Sequence, residues 1–452
     1  MGLSIVLLAA GEGKRMKTNL PKPLVKLGDH PMIQYILNTS KELKPEKIIV
    51  VTGYKKDEVK KYLIDNNQEN FIFCEQKERL GTGHAVKQAT PYIPDKGKTL
   101  ILYSDVPIVS KLTLKRLLKV SSRKKLSILT AIMENPFGYG RIIRNIKKQP
   151  LLIREQADSS KEEKHIKEIF SGIMIVENGH LKRGVNSFVR NNVKGEYYLT
   201  DLVQYTSTRN LKIGSVLADH KEVMGANTKA ELSDLYKSLN KLNLERLTNK
   251  GVFLKDPETC YIEGDLRTGR DVTIGQNVMF KGKVTLGDNV TIGSNVSISN
   301  TKISKNSEIK DFCSIESTKI LKNVIVGPFA RLRDGVVLGE NAKIGNFVEI
   351  KNSNLGAGTK ANHHTYLGDA SLGKKVNIGA GTITCNYDGE KKHKTKVGDD
   401  VFVGSNSSLI APIAIGKKAY IAAGSAITSN VPSGSLAFGR SKQSTKKNWK
   451  KK

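Results

Sequence analysis

The chain has 452 residues with 74 Lys and Arg against 43 Asp and Glu, a formal charge of +31. That length exceeds what one hydrophobic core usually supports, so two domains are expected, each large enough to bury an interior. The charge favours anionic ligands such as nucleotides, sugar phosphates or coenzyme A, but the lysines are dispersed apart from the run Lys446, Lys447, Lys450, Lys451 and Lys452, and no DNA- or RNA-binding pattern accompanies them, so no nucleic-acid partner is expected.

The apolar start, residues 5–10, is too short to cross a membrane and runs into Gly11-Glu12-Gly13. It reads as a buried strand, and the chain as a soluble, cytoplasmic protein without a membrane partner; Cys74, Cys260, Cys313 and Cys385 lack metal-ligand spacing and read as reduced thiols. After the strand, glycines let backbone N–H groups approach phosphate, and a helix start would add its dipole. Arg15 and Lys22 add charge. Up to about residue 225, short apolar runs alternate with helical patterns, as an α/β domain with a mostly parallel sheet requires. Strands are expected over 5–9, 47–51, 99–102 and 126–132, and a helix begins near Met32 with Ile33, Ile36 and Leu37 on one stripe. Asp105 follows an apolar strand, where such sheets place their ligands. Taken singly it reads as a turn aspartate, and Asn227 as a helix N-cap.

Residues 228–250 read as a linker helix of about 33 Å. Leu232, Leu235, Leu239 and Leu242 recur at spacings of three and four, Thr228 to Glu231 fits a capping box, and Gly251 is the stop. Beyond it, over 251–452, the period becomes six: Ile274, Phe280, Leu286, Ile292 and Ile298, then Ile303, Ile309 and Ile315, then Ile320 to Ile350, and again Val397 to Ile427. That period fits a β-solenoid of three short faces per coil, one apolar residue of each face pointing inward. Glycines after the apolar residues, as in Ile344-Gly345, suit corners needing positive φ or close backbone approach. The polar stretch 385–396 breaks the period, and such insertions tend to build a binding face.

Alone, a short G-x-G is weak evidence. It is joined in the first half by Leu20-Pro21-Lys22-Pro23-Leu24, Leu80-Gly81-Thr82-Gly83-His84-Ala85, Tyr103-Ser104-Asp105, Gly138-Tyr139-Gly140-Arg141 and Glu196-Tyr197-Tyr198-Leu199-Thr200-Asp201. In the second half stand Gly327 to Arg333, Gly345 to Lys351, Asn362-His363-His364-Thr365-Tyr366-Leu367-Gly368-Asp369 and Asn377 to Gly389. With these strings the first half, residues 1–227, resembles the sugar-nucleotide pyrophosphorylases. The whole chain resembles the bifunctional N-acetylglucosamine-1-phosphate uridyltransferase and glucosamine-1-phosphate acetyltransferase family.

The resemblance implies a Rossmann-like nucleotidyltransferase domain followed by a left-handed parallel β-helix of hexapeptide repeats, and a homotrimer. It implies acetyl transfer from acetyl-coenzyme A to glucosamine 1-phosphate, then Mg²⁺-dependent uridylyl transfer from UTP, giving a precursor for cell-wall sugars. A triphosphate attacked at its α-phosphorus needs a divalent cation to offset developing charge, and the resemblance assigns it to Asp105 and Asn227. It gives Leu8, Ala9, Ala10, Gly11, Gly13, Arg15, Lys22, Gln76, Gly81 and Thr82 to the nucleotide, and Tyr103, Gly140, Glu155, Thr200 and Asn227 to the sugar. His84 reads as structural, buried by its Gly-Thr-Gly neighbourhood.

Transfer to an amine requires a deprotonated nitrogen, and histidine can accept that proton near neutrality; His363 is the expected base. His364 should face the other way on an extended strand, although sequence alone leaves the two exchangeable. Arg333 and Lys351 suit a sugar phosphate, with Tyr366 and Asn377 beside it. Ala380, Asn386, Tyr387, Ser405, Ala423 and Arg440 are implied for acetyl-coenzyme A, with the basic tail near its phosphates. Four positions depart from the family pattern: Lys14 for threonine, Arg79 for glutamine, Ser104 for glycine and Phe170 for asparagine, which leaves sugar and nucleotide preference open. Two other readings compete: an enzyme with only its acetyltransferase half active, and a basic solenoid that binds nucleic acid or an acidic partner.

Overall fold

The computed structural model describes residues 2–68, 70–447 and 449 and divides into two compact units, residues 1–239 and 240–452. Lys450, Lys451 and Lys452 of the basic tail lie outside the described residues. No helix among the described residues is long and apolar enough to cross a membrane. All four cysteines are free, three of them buried.

In the first unit the strand Leu3–Ala9 sits inside the sheet, between Lys47–Thr52 on one side and Lys98–Tyr103 on the other. Both pairings are parallel. The sheet runs on through Phe71–Glu75 at one end and through Glu168–Glu177, Leu126–Ile132 and Ile213–Ala218 at the other, Glu168–Glu177 being antiparallel to its neighbours. The unbroken apolar run of Leu3–Ala9 reflects cover on both faces: Ile5, Leu7 and Ala9 belong to one core and Val6 and Leu8 to another. The chain leaves the first strand toward one side and returns on the other, so a crevice opens beyond the carboxyl ends of Leu3–Ala9 and Lys98–Tyr103. The helix Met32–Lys41 buries Met32, Ile33, Ile36 and Leu37, as its periodicity predicts.

One expectation fails here. The glycine turn is followed only by the three-residue 3-10 helix Lys14–Met16, and the first α-helix begins at Met32. Backbone N–H groups, not a helix macrodipole, are therefore what this loop offers an anion.

The helix Lys229–Thr248 crosses the division between the units. Thr228 Oγ1 accepts from Glu231 N at 3.2 Å, but Glu231 returns its carboxylate to Asn227 N at 2.6 Å, so the capping box closes one residue early. Of the four leucines in the predicted stripe only Leu235 is fully buried; toward the C-terminal end the buried line is Asn240, Leu244 and Leu247. Gly251, at φ 88°, ends the helix region with its N–H on Thr248 O.

The second unit is a single parallel solenoid. Its register carries Ile274 onto Ile292 and Ile292 onto Ile309, steps of 18 and 17 residues, and so on through Val326 and Ile344. The residues of the six-residue period are buried. Both expected needs of corner glycines occur, on different residues: Gly358 and Gly381 have positive φ. Gly345 does not have positive φ; it is there because a Cβ would lie 1.9 Å from Asn362 O on the next coil. One row of left-handed corners goes to asparagine, which tolerates that region: Asn289, Asn306, Asn323 and Asn341 have φ between 57° and 61°, and each of the first three donates Nδ2–H to the next Oδ1 at 3.0, 3.2 and 3.1 Å. A second corner stacks Phe312, Phe329, Phe347 and His364, with ring centroids 4.8, 5.3 and 5.0 Å apart. In the polar break the register jumps from Ala370 to Thr395, 25 residues, and then resumes.

Because Ile320 is fully buried in this stack, Ile320→Ala should lower the stability of the solenoid by about 2–5 kcal/mol, read from the denaturant midpoint of its unfolding.

Candidate active sites

The crevice of the first unit holds a cavity of about 270 Å³ lined by Leu8, Ala10, Gly11, Lys22, Gln76, Arg79, Gly81, Thr82, Ala85, Tyr103, Ser104, Asp105 and Glu196. Register explains the gathering: Leu8 pairs with Tyr103, so the glycine turn and Asp105 leave adjacent strands at the same level. Ala9, Gly13 and Arg15 are outside this lining. Gln76 is buried; its Nε2–H donates to Gly81 O at 2.9 Å and lies 3.3 Å from His84 Nδ1. That leaves the Gln76 amide oxygen free to accept. Gly81 is fixed as glycine by φ 102° and by Tyr197 O, 2.6 Å from where a Cβ would stand. His84 is half-buried, not enclosed, and serves to orient Gln76 and Gln88.

Asp105 and Asn227 meet across the chain because Ala226 N donates to Asp105 O at 3.3 Å. Asn227 is not the helix cap, a role Thr228 fills; its Oδ1 accepts from Lys22 Nζ at 2.7 Å, and the same ammonium is ion-paired with Asp105 Oδ2. Two oxygens that share one ammonium are close enough to share a divalent cation, which takes few protein ligands and several waters when it is Mg²⁺. Among the described residues no group of three or more His, Cys, Asp or Glu converges elsewhere as a metal site.

Of the residues expected for the sugar, Thr200 Oγ1 donates to Glu155 Oε1 at 3.0 Å, and that oxygen lies 3.7 Å from the Cβ position of Gly140. Burial raises Glu155 above the usual carboxylate range, against the Thr200 hydrogen bond. Burial likewise raises the Tyr103 phenol. A larger cavity, about 430 Å³, has Glu155, Asp158, Tyr198 and Asp201 in its wall; burial, then the charges of Glu155 and Asp158, push Asp201 up to about 6.

The departures have distinct fates. Lys14 is exposed beside Glu12. Arg79 is ion-paired with Glu12 of the glycine turn, at the cavity wall. Ser104 is buried, its N–H on Leu8 O. Phe170 is in the core, paired in register with Gly140, so an apolar ring packs where the family offers an amide.

In the solenoid the expected acetyl-transfer residues fall into rows. Asn346 pairs with His363; Lys360 pairs with Asn377 and Asn377 with Phe402, which in turn meets Tyr420. Three residues onward, the same register stacks His363, Ala380, Ser405 and Ala423 on successive coils. Arg440 reaches this row, donating to Ala423 O at 2.9 Å. Asn346 Oδ1 is 2.7 Å from His363 Nδ1. An amide oxygen only accepts, so Nδ1 carries the proton and Nε2 is left as the basic nitrogen. His364 is in the left-handed corner, φ 43°, its ring stacked on Phe347.

A second row places Arg333 one coil before Lys351, by the pairing of Leu332 with Ile350. Arg333 donates to Glu349 at 2.9 Å, and Glu349 pairs in register with Tyr366. The Lys392 ammonium beside it, and then Arg333, hold Lys351 below the usual lysine range. Lys392 comes from the polar break, which Asp388 organises by accepting from Glu390 N, Lys391 N and His393 Nε2. Asp369 ties this region down, accepting from Asn386 and Asn352. Tyr387 is exposed on the same loop, and Asn377 lies on the preceding face at the level of Lys360.

Sequence reasoning missed Asn346 and Lys392. The coil length, once known, would have found Asn346, 17 residues before His363.

A nucleotidyltransferase crevice in one unit and a hexapeptide-coil acyltransferase wall in the other define a two-activity transferase. Residues 5–166 match the MobA-like NTP transferase domain, 262–344 the GMPPB C-terminal domain and 394–429 the hexapeptide repeat of succinyl-transferase. The chain is 44% identical over 452 residues to the bifunctional protein GlmU of Acinetobacter baylyi, covering all of this chain and 99% of that one. It is 46% identical over 450 residues to that of Thermosipho melanesiensis, covering 99% and 97%. A putative glucose-1-phosphate thymidylyltransferase from Bacillus anthracis aligns at 16% identity over 52% of this chain and 94% of its own, with TM-score 0.44. The chain belongs to the GlmU family of bifunctional proteins. It acetylates glucosamine 1-phosphate and transfers uridylyl from UTP to the product, making UDP-N-acetylglucosamine, and its solenoid is the left-handed β-helix of that class.

Asn346→Ala should lower kcat of acetyl transfer by about 10- to 100-fold with KM for the amino sugar little changed, since it removes control of the imidazole tautomer; steady-state kinetics of coenzyme A release read this. Asp201 keeps its proton in the folded state at pH values where the unfolded chain, titrating near ~3.9, has lost it. Stability therefore falls as pH rises from about 4 through about 6. Asp201→Asn should melt at a higher temperature than the parent at pH 7.5 and at the same temperature at pH 4, by calorimetry.

Proposed function

We propose that acetyl transfer runs along the row His363, Ala380, Ser405 and Ala423, with His363 as its base; the observation that carries this is the Asn346 hydrogen bond, which holds the ring at Nδ1 and selects the neutral tautomer whose Nε2 can accept a proton. Arg333, Lys351 and Lys392 hold the sugar 1-phosphate, which offsets the mutual repulsion of three cations on one surface. Tyr366, Asn377, Asn386 and Tyr387 orient the sugar and the thioester. The amine nitrogen attacks the thioester carbonyl carbon, its proton passes to His363 Nε2 and from there to the sulfur as the C–S bond breaks, and coenzyme A leaves as the thiol. General-base action of this kind contributes about 10²- to 10⁴-fold. Small residues at 380, 405 and 423 let the pantetheine arm lie against the coil, with Arg440 and the basic tail toward its phosphates. A threefold assembly, completing the site between the solenoids of neighbouring subunits, fits the exposed aromatic corner of Phe312, Phe329 and Phe347.

In the other half the uracil edge meets Gln76, Gly81 and Thr82, and the triphosphate lies on the turn from Leu8 to Gly13 with Arg15 and Lys22. Tyr103, Gly140, Glu155 and Thr200 receive the acetylated sugar. The divalent metal of this half-reaction is taken to be Mg²⁺, held by Asp105 and Asn227, where it would neutralise charge on the triphosphate as pyrophosphate leaves. The sugar 1-phosphate oxygen forms the new bond to the α-phosphorus. The protein is expected to act in the cytoplasm.

Each half should fail alone. His363→Ala should abolish coenzyme A release from glucosamine 1-phosphate while sparing pyrophosphate formation from N-acetylglucosamine 1-phosphate, and Asp105→Ala should do the reverse. Loss of both activities in either variant would refute the assignment.

A further inference from the structure

Lys22 lies where two kinds of partner compete for it. Its backbone N–H is on Gly11 O at 3.3 Å and its side-chain stem packs over Gly13, with Cβ 3.0 Å from where a Cβ of that glycine would stand. The lysine is thus built into the loop that approaches phosphate. Its ammonium nevertheless reaches the opposite wall, ion-paired with Asp105 Oδ2 and 2.7 Å from Asn227 Oδ1. The side chain is 11% exposed and that of Asp105 24%, so water screens the pair only in part.

We propose that Lys22 is an internal counter-ion that competes with the divalent cation for Asp105 and Asn227, and that nucleotide phosphate releases it. This rests on the reading that Asp105 and Asn227 hold the metal. Two cations cannot share those oxygens: a divalent ion set between them would face the ammonium within a few ångströms, and their repulsion in a partly dry cavity is large. The ion by itself therefore binds weakly. A triphosphate on the glycine turn gives the ammonium another anionic partner within swing of its flexible stem, which frees both oxygens for the ion. Ion and nucleotide then bind cooperatively, and by linkage each raises the affinity of the other by the same factor. The ammonium also keeps Asp105 compensated whenever the ion is away, which spares the fold a half-buried unpaired carboxylate.

The test is Mn²⁺ binding to the nucleotide-free full-length enzyme, followed by electron paramagnetic resonance of the unbound ion. Lys22→Met keeps the stem and removes the charge. It should bind Mn²⁺ more tightly than the parent, by about tenfold or more, a size usual for coupling between sites, and adding Asp105→Asn to it should remove the gain. Lys22→Arg, which keeps the charge, should bind as weakly as the parent; the melting temperature of each variant shows that it is folded. If Lys22→Met binds Mn²⁺ no more tightly than the parent, while Asp105→Asn weakens Mn²⁺ retention in the presence of UTP, the competition is wrong and the metal site stands. If Asp105→Asn has no effect on Mn²⁺ held with UTP, the metal assignment itself falls and the inference with it.

Discussion

Parallel register governs both halves of this chain. In the first unit, pairing Leu8 with Tyr103 sets the end of one strand level with the end of the next, so that a glycine turn and an aspartate 94 positions later in sequence (105 minus 11) open on one crevice. In the solenoid, the pairing of Asn346 with His363 and its continuation through Ala380, Ser405 and Ala423 line up single residues from separate coils. Neither site is built by a long segment. Each is built by residues that the hydrogen-bond ladder brings to the same height, at the spacing of neighbouring strands.

The two sites handle charge differently. Around Asp105 the cationic partner comes from the fold itself: the Lys22 ammonium is ion-paired with the carboxylate in a partly dry crevice. Around Lys351 the excess is positive: Arg333 leans on Glu349, while Lys351 and Lys392 repel each other. An anionic ligand would relieve that repulsion, whereas at Asp105 a cationic one would meet an ammonium already in place.

What could be read from sequence was whatever repeats or sits next to its own consequence. The six-residue period identified the buried line of the coils because the inward position recurs at fixed spacing, and the run from Ile5 to Ala9 identified a strand covered on both faces. Helix ends were legible at Thr228 and Gly251, where capping is local. Contacts across long separations were not. Lys22 reaches Asn227 over 205 positions, Lys392 reaches Lys351 only because the polar break folds back, and Asn346 becomes visible as a partner of His363 only when the coil length is known to be 17 there. Glycine was legible only as a type that serves two geometric needs: Gly381 takes positive φ while Gly345 yields space to Asn362, and the asparagine row of left-handed corners was not singled out. The departures Arg79 and Phe170 looked alike as losses from a motif, yet one makes a new ion pair at the cavity wall and the other joins the core.

The jump from Ala370 to Thr395 leaves the stacking above and below it undisturbed, since the next pairs resume at Ile413 and Ile415. Exposed residues carried on that excursion, Tyr387 and Lys392 among them, lie outside the ladder that holds the wall together, whereas Asn386 anchors the excursion to Asp369. A scaffold of this kind separates what gives the protein its rigidity from what gives it its taste for a substrate, and it lets the second change while the first stays as it is.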